Sequence, residues 1–394
     1  DMHESNSAYS QVCLSAYDEG EIRAAAERAV DHLGGPASCV FVFVSPDWRD
    51  SLADLVEVVQ VYARSPVVIG CSAWGLIGTG REDENASGCA LMALRLPRSE
   101  IKVSRIDQTQ LEDARGASYW TDALGVASGE AAGWVMLGNP MTLDSEALLR
   151  AMNSAFPGEP VFGGLASGGG GESDLFLLDS EGGDETGAIS VAFCGGLRFG
   201  GLVSQGCRPI GEAYTITRAD ANVLYGIGSR AAYEILEETF NALTDEEKEV
   251  ARQNMFVGLA VNEYDDTRDT GDFLVRNIFG GDPDAGALAI GARPRVGQTL
   301  QFQVRDSDAA DAELRRLCRE RMRAEGSPFA GLLFSCAGRG QSMFGVPNHD
   351  AGVVEDVFGK VPLAGFFCNG EFGPVGGTTF MHGYTASCAL FYQT

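Results

Sequence analysis

The sequence predicts an α/β (mixed α+β) fold in two similar halves. Each half is built from duplicated strand–helix–strand units, with mixed sheets covered by helices. Three observations lead there. First, one pattern recurs: an apolar strand, a polar loop, an amphipathic helix, a strand ending in a Gly turn, and a further strand. It starts at Cys39, again at Ala132 and again at Ala330, with a looser fourth copy from Met255, and such self-similarity marks a fold made from one repeated unit. Second, the strands of this pattern, such as Cys39–Ser45, are unbroken apolar runs, the mark of strands buried on both faces. Third, the chain has 394 residues, 45% hydrophobic and 21% charged, which suits ordinary globular structure in more than one domain.

Taken in order, residues before about Ser15 read as a loose lead-in. Glu19 to His32 reads as a helix, acidic at its start and rich in alanine. Ser51 is placed as the N-cap of a helix with Asp54 three residues on and Leu52, Leu55, Val56 and Val59 on one face. Val67–Ile69 is a strand that stops at Gly70, Gly78 to Ser87 is a loop, and Asp179–Thr186 is an acidic hairpin turn. Ile189–Phe193 and Leu202–Ser204 are strands, Ser229–Phe240 is a helix, and Asn241–Arg252 is an acidic linker. The domain boundary is placed near there, giving domains 1–228 and 229–394. Short strands follow around Met255, Phe273, Ala287 and Leu300. Ser307 then caps a helix with an acidic start and a basic end.

The net charge of −26 repels phosphate backbones and anionic lipid, so neither nucleic acid nor membrane is an expected partner. No apolar run reaches the roughly 18–20 residues of a membrane span. The ten cysteines include no C-x-x-C pair, and Cys39, Cys89, Cys194 and Cys388 lie inside apolar runs. They read as free thiols in a reducing cytoplasm. No metal-ligand spacing, phosphate-binding loop or nucleophile elbow occurs. His3 lies in the lead-in and His349 reads as a solvated loop residue. His382 is the candidate for a supporting donor or a haem ligand.

Three segments carry candidate binding chemistry. At Ser335, Cys336 and Arg339 a buried strand ends in a Gly turn and an arginine. The arginine can offer its fork to a carboxylate or lower the pKa of the thiol. Phe366, Cys368 and Glu371 form an aromatic, glycine-rich wall in which the acid suits an ammonium group or pairs with Arg339. Arg276 and Asn277 interrupt the apolar run that follows Asp272, a costly placement unless both are satisfied. Cys71 and Gly164 fall at similar strand ends.

These segments resemble the FIST family (F-box and intracellular signal transduction proteins), from about residue 30 to the end. The resemblance is carried by VVIGCSAWG, VFGGLAS, LVRNIFGGDPDAGALAIGA, LLFSCAGRG and VPLAGFFCNGEFGPVGG in this order. It implies a ligand-binding sensory module. In prokaryotes amino acids are proposed ligands, and some members look like haem-binding nitric-oxide sensors. A eukaryotic F-box member recognises proteins. The family's Arg-Asn-Ile falls on Arg276, Asn277 and Ile278, its Cys-x-x-Arg on Cys336 and Arg339, and its Gly-Glu-x-x-Pro on Gly370, Glu371 and Pro374. Gly206 and Cys207 stand where the family often has Trp.

The expectation is therefore a cytoplasmic receptor for an amino acid or similar zwitterion. It has no attached output segment and no required cofactor, and it signals through a separate partner protein. A protein-interaction scaffold, a haem gas sensor and an enzyme using Cys336 or Cys71 as nucleophile are the alternatives.

Overall fold

A computed structural model describes residues 5–171, 174–261 and 273–394. His3 and Asp272 lie outside them. The chain divides into two compact units, 1–203 with 315–394, and 204–314.

The first unit holds the three copies as three six-stranded mixed sheets. In each copy a first strand and a second strand run parallel around a crossover helix. The first strands are Cys39–Val44, Ala131–Gly138 and Ala330–Cys336, and the second strands are Val68–Ser72, Val161–Leu165 and Leu363–Cys368. The helices between them are Leu52–Tyr62, Ser145–Ala155 and His349–Phe358. A closing strand (Cys89–Arg95, Ala188–Cys194 or Ala386–Tyr392) lies antiparallel to the first strand. A lead strand (Ser7–Cys13, Glu100–Ile106 or Arg198–Ser204) pairs outside it. Ser7–Cys13 has no apolar run to mark it as more than a lead-in. Antiparallel pairing with Cys89–Arg95 makes it a strand. In chain order, the second unit falls between the third lead strand and the third first strand.

Each copy also makes a hairpin and lends it to another copy's sheet. Leu76–Gly78 with Arg81–Asp83, in a stretch expected to be loop, pairs with the third copy's second strand. Leu177–Asp179 with Gly182–Asp184 joins the first sheet, and Glu371–Val375 with Thr378–His382 joins the second. The exchange superimposes the copies position by position. Gly70, Gly163 and Gly365 coincide, and a Cβ at any of them would fall within 1.8 Å of the neighbouring strand's carbonyl oxygen, that of Val42, Met136 or Leu333. The strand therefore runs through Gly70 instead of ending there: glycine marks a close backbone approach.

The inward faces of the three sheets share one apolar cluster that includes Phe41, Phe43, Leu137, Phe193, Phe334 and Phe366. Burial of each such side chain contributes about 1.5–3 kcal/mol. Helices Glu19–Leu33 and Leu52–Tyr62 cover the outer face of the first sheet, and Ala117–Leu124 with Ser145–Ala155 cover that of the second. This double cover explains the unbroken apolar strands.

The second unit is built differently. Strands Tyr214–Asp220, Val223–Ile227, Ala287–Ile290, Phe273–Asp282, Met255–Ala260 and Thr299–Arg305 pair antiparallel in that order. The last pairs again with the first, closing a barrel. Ile216, Leu224, Ile227, Val257, Leu288 and Phe302 fill its core. The segment from Met255 is thus a barrel strand and not a fourth copy: its pairings with Phe273–Asp282 and Thr299–Arg305 are both antiparallel. The acidic stretch 241–252 contains a helix, Asp245–Ala251, held by a capping box between Thr244 and Glu247. Among the described residues no helix is long and apolar enough to cross a membrane.

Candidate functional site

The carboxyl ends of the parallel strands meet in a ring of hydrogen bonds. Ser167 N donates to Ser72 O at 3.1 Å and Asn369 N to Leu165 O at 3.1 Å. Trp74 N donates to Ser167 Oγ at 2.8 Å, and that hydroxyl donates in turn to Phe367 O. Ligands favour such strand ends in α/β sheets. A hollow of ≈ 200 Å³ opens here in the first copy, lined by Ser45, Asp47, Trp74, Asn85, Ser87 and Gly169 among others.

Equivalence between copies sorts the predicted residues. Cys71, Gly164 and Phe366 occupy one position, each beside a borrowed hairpin. Cys336 occupies the place of Ser45 and Asn139. The backbone N–H of each donates at 2.9 Å to the residue before the closing strand: Gly88 O, Gly187 O and Thr385 O. Glu371 occupies the place of Leu76 and Leu177, since these three face Gly164, Phe366 and Cys71. Two copies therefore put leucine where the third puts a carboxylate, and Glu371 has no solvent exposure.

Around Glu371 lie Cys336, Cys368 and Cys71, which sense one another or its charge. Gly164 has no side chain because a Cβ would come within 2.6 Å of Cys368 Sγ and 2.9 Å of Gly370 O. His382, directly opposite Glu371, is buried, with Nε2 at 2.9 Å from Gly373 O. Burial, and then the charge of Glu371, push the Cys336 thiol up to about 12. Burial holds Cys71 and Cys368 well above the ordinary thiol value. The expected lowering of Cys336 by Arg339 does not occur, because Arg339 spends its charge elsewhere.

Arg339 is fully buried, with Nε 2.8 Å from Asp350 Oδ2 and Nη2 2.9 Å from Asp350 Oδ1. This two-pronged pair is the strong form of the contact. Ser335 Oγ donates to Asp350 Oδ2 at 2.6 Å, and His349 Nδ1 lies 2.9 Å from Asp350 Oδ1. His349 is no solvated loop residue: it begins a helix and stacks on Phe344 at 3.4 Å. Burial pushes Asp350 up, but Arg339, His349 and Ser335 outweigh it and hold the carboxyl well below the usual range. Glu82, from the borrowed hairpin, joins this cluster and accepts from Ala351 N at 2.9 Å. Burial and the nearby Asp350 raise it to about 7.

Sequence reasoning missed Asp350 and Glu82. The His-Asp pair at a helix start was a usable signal for the first. The second lies in a stretch that reads as loop. Tyr384 closes the strand end. Its ring rests against Gly338, where a Cβ would lie 2.6 Å from it, and its backbone is left-handed at φ 54°, a sparsely populated conformation for a residue with a side chain. Arg276 and Asn277 belong to the second unit, on strand Phe273–Asp282. Asn277 is exposed opposite Phe256, and Arg276 is half-buried, with Nη1 3.2 Å from Val275 O. Among the described residues no group of three or more His, Cys, Asp or Glu could hold a metal ion.

The FIST N domain model matches residues 38–230 and the FIST C domain model residues 232–374. An uncharacterized protein of Mycobacterium tuberculosis (strain ATCC 25618 / H37Rv) is 37% identical over 378 residues, 94% of this chain and 97% of its own length. One from Mycobacterium bovis is 34% identical over 370 residues, 93% and 94% of the two chains. An F-box/LRR-repeat protein of Arabidopsis thaliana is 30% identical over 105 residues, 25% of this chain and 20% of that protein. The chain belongs to the FIST family, whose domains are sensory modules of signal transduction.

Proposed function

We propose that this FIST protein is a cytoplasmic receptor for a small zwitterion, an amino acid or a close analogue. In this reading Glu371 meets the ligand's ammonium group beside Ser335, Cys336, Cys368 and Phe366, with Gly164 and Cys71 shaping the surroundings, and the signal leaves through a separate protein. The observation that carries the reading is the carboxylate of Glu371 at a position that Leu76 and Leu177 fill in the other copies. The fold fills this position with leucine twice, so packing alone does not call for an acid there. The Arg339–Asp350 clamp holds Ser335 and the strand end rigid beneath. Cys336, at about 12, makes a poor nucleophile, which favours binding over covalent chemistry.

The test is thermal melting against amino acids and dipeptides. The cognate ligand at a hundredfold excess over its Kd adds about 2.7 kcal/mol, and Glu371→Leu abolishes the shift while remaining folded. A panel that moves nothing, or a shift that survives Glu371→Leu, overturns the reading. Arg276→Ala and Asn277→Ala in the same titration test the other predicted contacts. The similarity to an F-box/LRR-repeat protein favours a second reading, a protein-interaction scaffold. It predicts a partner captured from the native extract by Glu371→Leu as readily as by the parent chain.

A further inference from the structure

Cys13 and Cys89 lie directly opposite each other on the antiparallel lead and closing strands of the first sheet. Residues so placed have Cβ atoms about 4.5–5.5 Å apart, a small closure from the roughly 3.5–4.5 Å of a disulfide. The second copy has Ile106 opposite Ala188 at this place, so the fold has no need of sulfur there.

The surroundings of Cys13 are specific. Gln11, two residues earlier on the same strand face, receives hydrogen bonds on Oε1 from Tyr9 Oη at 2.7 Å and from Arg28 Nε at 3.2 Å. Those donors fix which end of the amide is oxygen, so its Nε2 is turned to donate to Cys13 Sγ at 3.5 Å. The neighbouring Cys89, then the Gln11 donor and the Arg28 charge, lower the Cys13 thiol. Together they outweigh burial and Glu21, and the Cys13 thiol moves below its ordinary value. The other cysteines with a resolved shift move the opposite way. Cys13 is buried and ends its strand next to exposed Leu14.

We propose that Cys13 and Cys89 are a redox-active dithiol, oxidised by small hydroperoxides to a disulfide that ties the lead strand to the closing strand. The Cys13 thiolate attacks a peroxide oxygen and the O–O bond breaks. The leaving hydroxide takes a proton to become water, and the sulfur is left as a sulfenic acid. Cys89 then attacks that sulfur, its proton goes to the departing hydroxyl, and a second water leaves. Two thiols and one hydrogen peroxide give one disulfide and two waters. A reducing thiol restores the pair.

The test is a brief pulse of hydrogen peroxide on the folded chain, followed by alkylation and peptide mass spectrometry. A Cys13–Cys89 cross-link is expected before oxidation at any other cysteine, and dithiothreitol removes it. In Cys89→Ser, Cys13 is expected to accumulate as a dimedone-trapped sulfenic acid. Gln11→Leu is expected to slow its alkylation at neutral pH several-fold. Oxidation spread evenly over the cysteines, or a folded Cys89→Ser protein whose Cys13 is not trapped, overturns the proposal. The ligand-binding reading stands or falls separately, because none of these residues serves it.

Discussion

The third copy and the first two solve the same packing problem with different chemistry. Where a lent hairpin crosses a second strand, the first and second copies contribute Leu76 and Leu177, and the third contributes Glu371. One step along, Ser335 stands where the others have Val44 and Gly138. Cys368 lies where they have Ala73 and Ala166, three residues after the coincident glycines. On the partner strand of each hairpin, Glu82 corresponds to Gly183 and Met381. Apolar cores tolerate exchange between similar hydrophobes, so Glu371, Ser335 and Cys368 are the third copy's surplus, while Glu82 is the first copy's own. Buried charge gives little net stability, so packing does not account for it.

The largest break in that comparison is Asp350→Ala. It strands Arg339 in the interior and is expected to cost about 3–5 kcal/mol, read as a lower urea midpoint with the denaturant slope unchanged. Next is pH. Glu82 is raised from the ordinary 4.5 to about 7, so its neutral form is favoured by folding. The stability it lends is complete below the unfolded value and is lost as pH rises through about 7. The span is on the order of 3 kcal/mol. Glu82→Gln is expected to flatten that decline in melts run from about pH 4 to about pH 9, a range that brackets both values. A decline of unchanged size would show that Glu82 is not its source.

Glu371→Leu makes the third copy match the others and, in the receptor reading, removes the ligand response while the fold is kept. A loss of stability would mean the acid is structural. The smallest effect compares two helix starts. Thr244 completes a capping box, whereas Ser51 makes no side-chain cap bond because a 3-10 turn, Pro46–Ser51, leads into its helix. Thr244→Ala should cost about 1 kcal/mol, and Ser51→Ala about 0.5 kcal/mol or less, both by thermal melting.

Much of the candidate site was legible. Cys336, Arg339 and Glu371 stand at the ends of apolar runs beside glycines, and that local contrast is visible in one dimension. Asp350 and Glu82 were not legible, because their meaning depends on a partner. Glu82 lies in a stretch too short and polar to read as a strand, and it becomes a buried acid only when its hairpin docks on the third sheet. Thr244 and Glu247 did carry a readable helix signal in a stretch whose acidity suggests a linker.

The sequence by itself determined the repeated units. Apolar periodicity and helix starts are local properties, and parallel pairing with an antiparallel closing strand follows from a crossover of that length. Only the tertiary structure decided which sheet receives each hairpin, and hence that Glu371 replaces a leucine, that Arg339 closes on Asp350 and that Cys13 faces Cys89. Register between segments far apart in the chain is set by mutual packing of the three sheets, and no single segment contains that information.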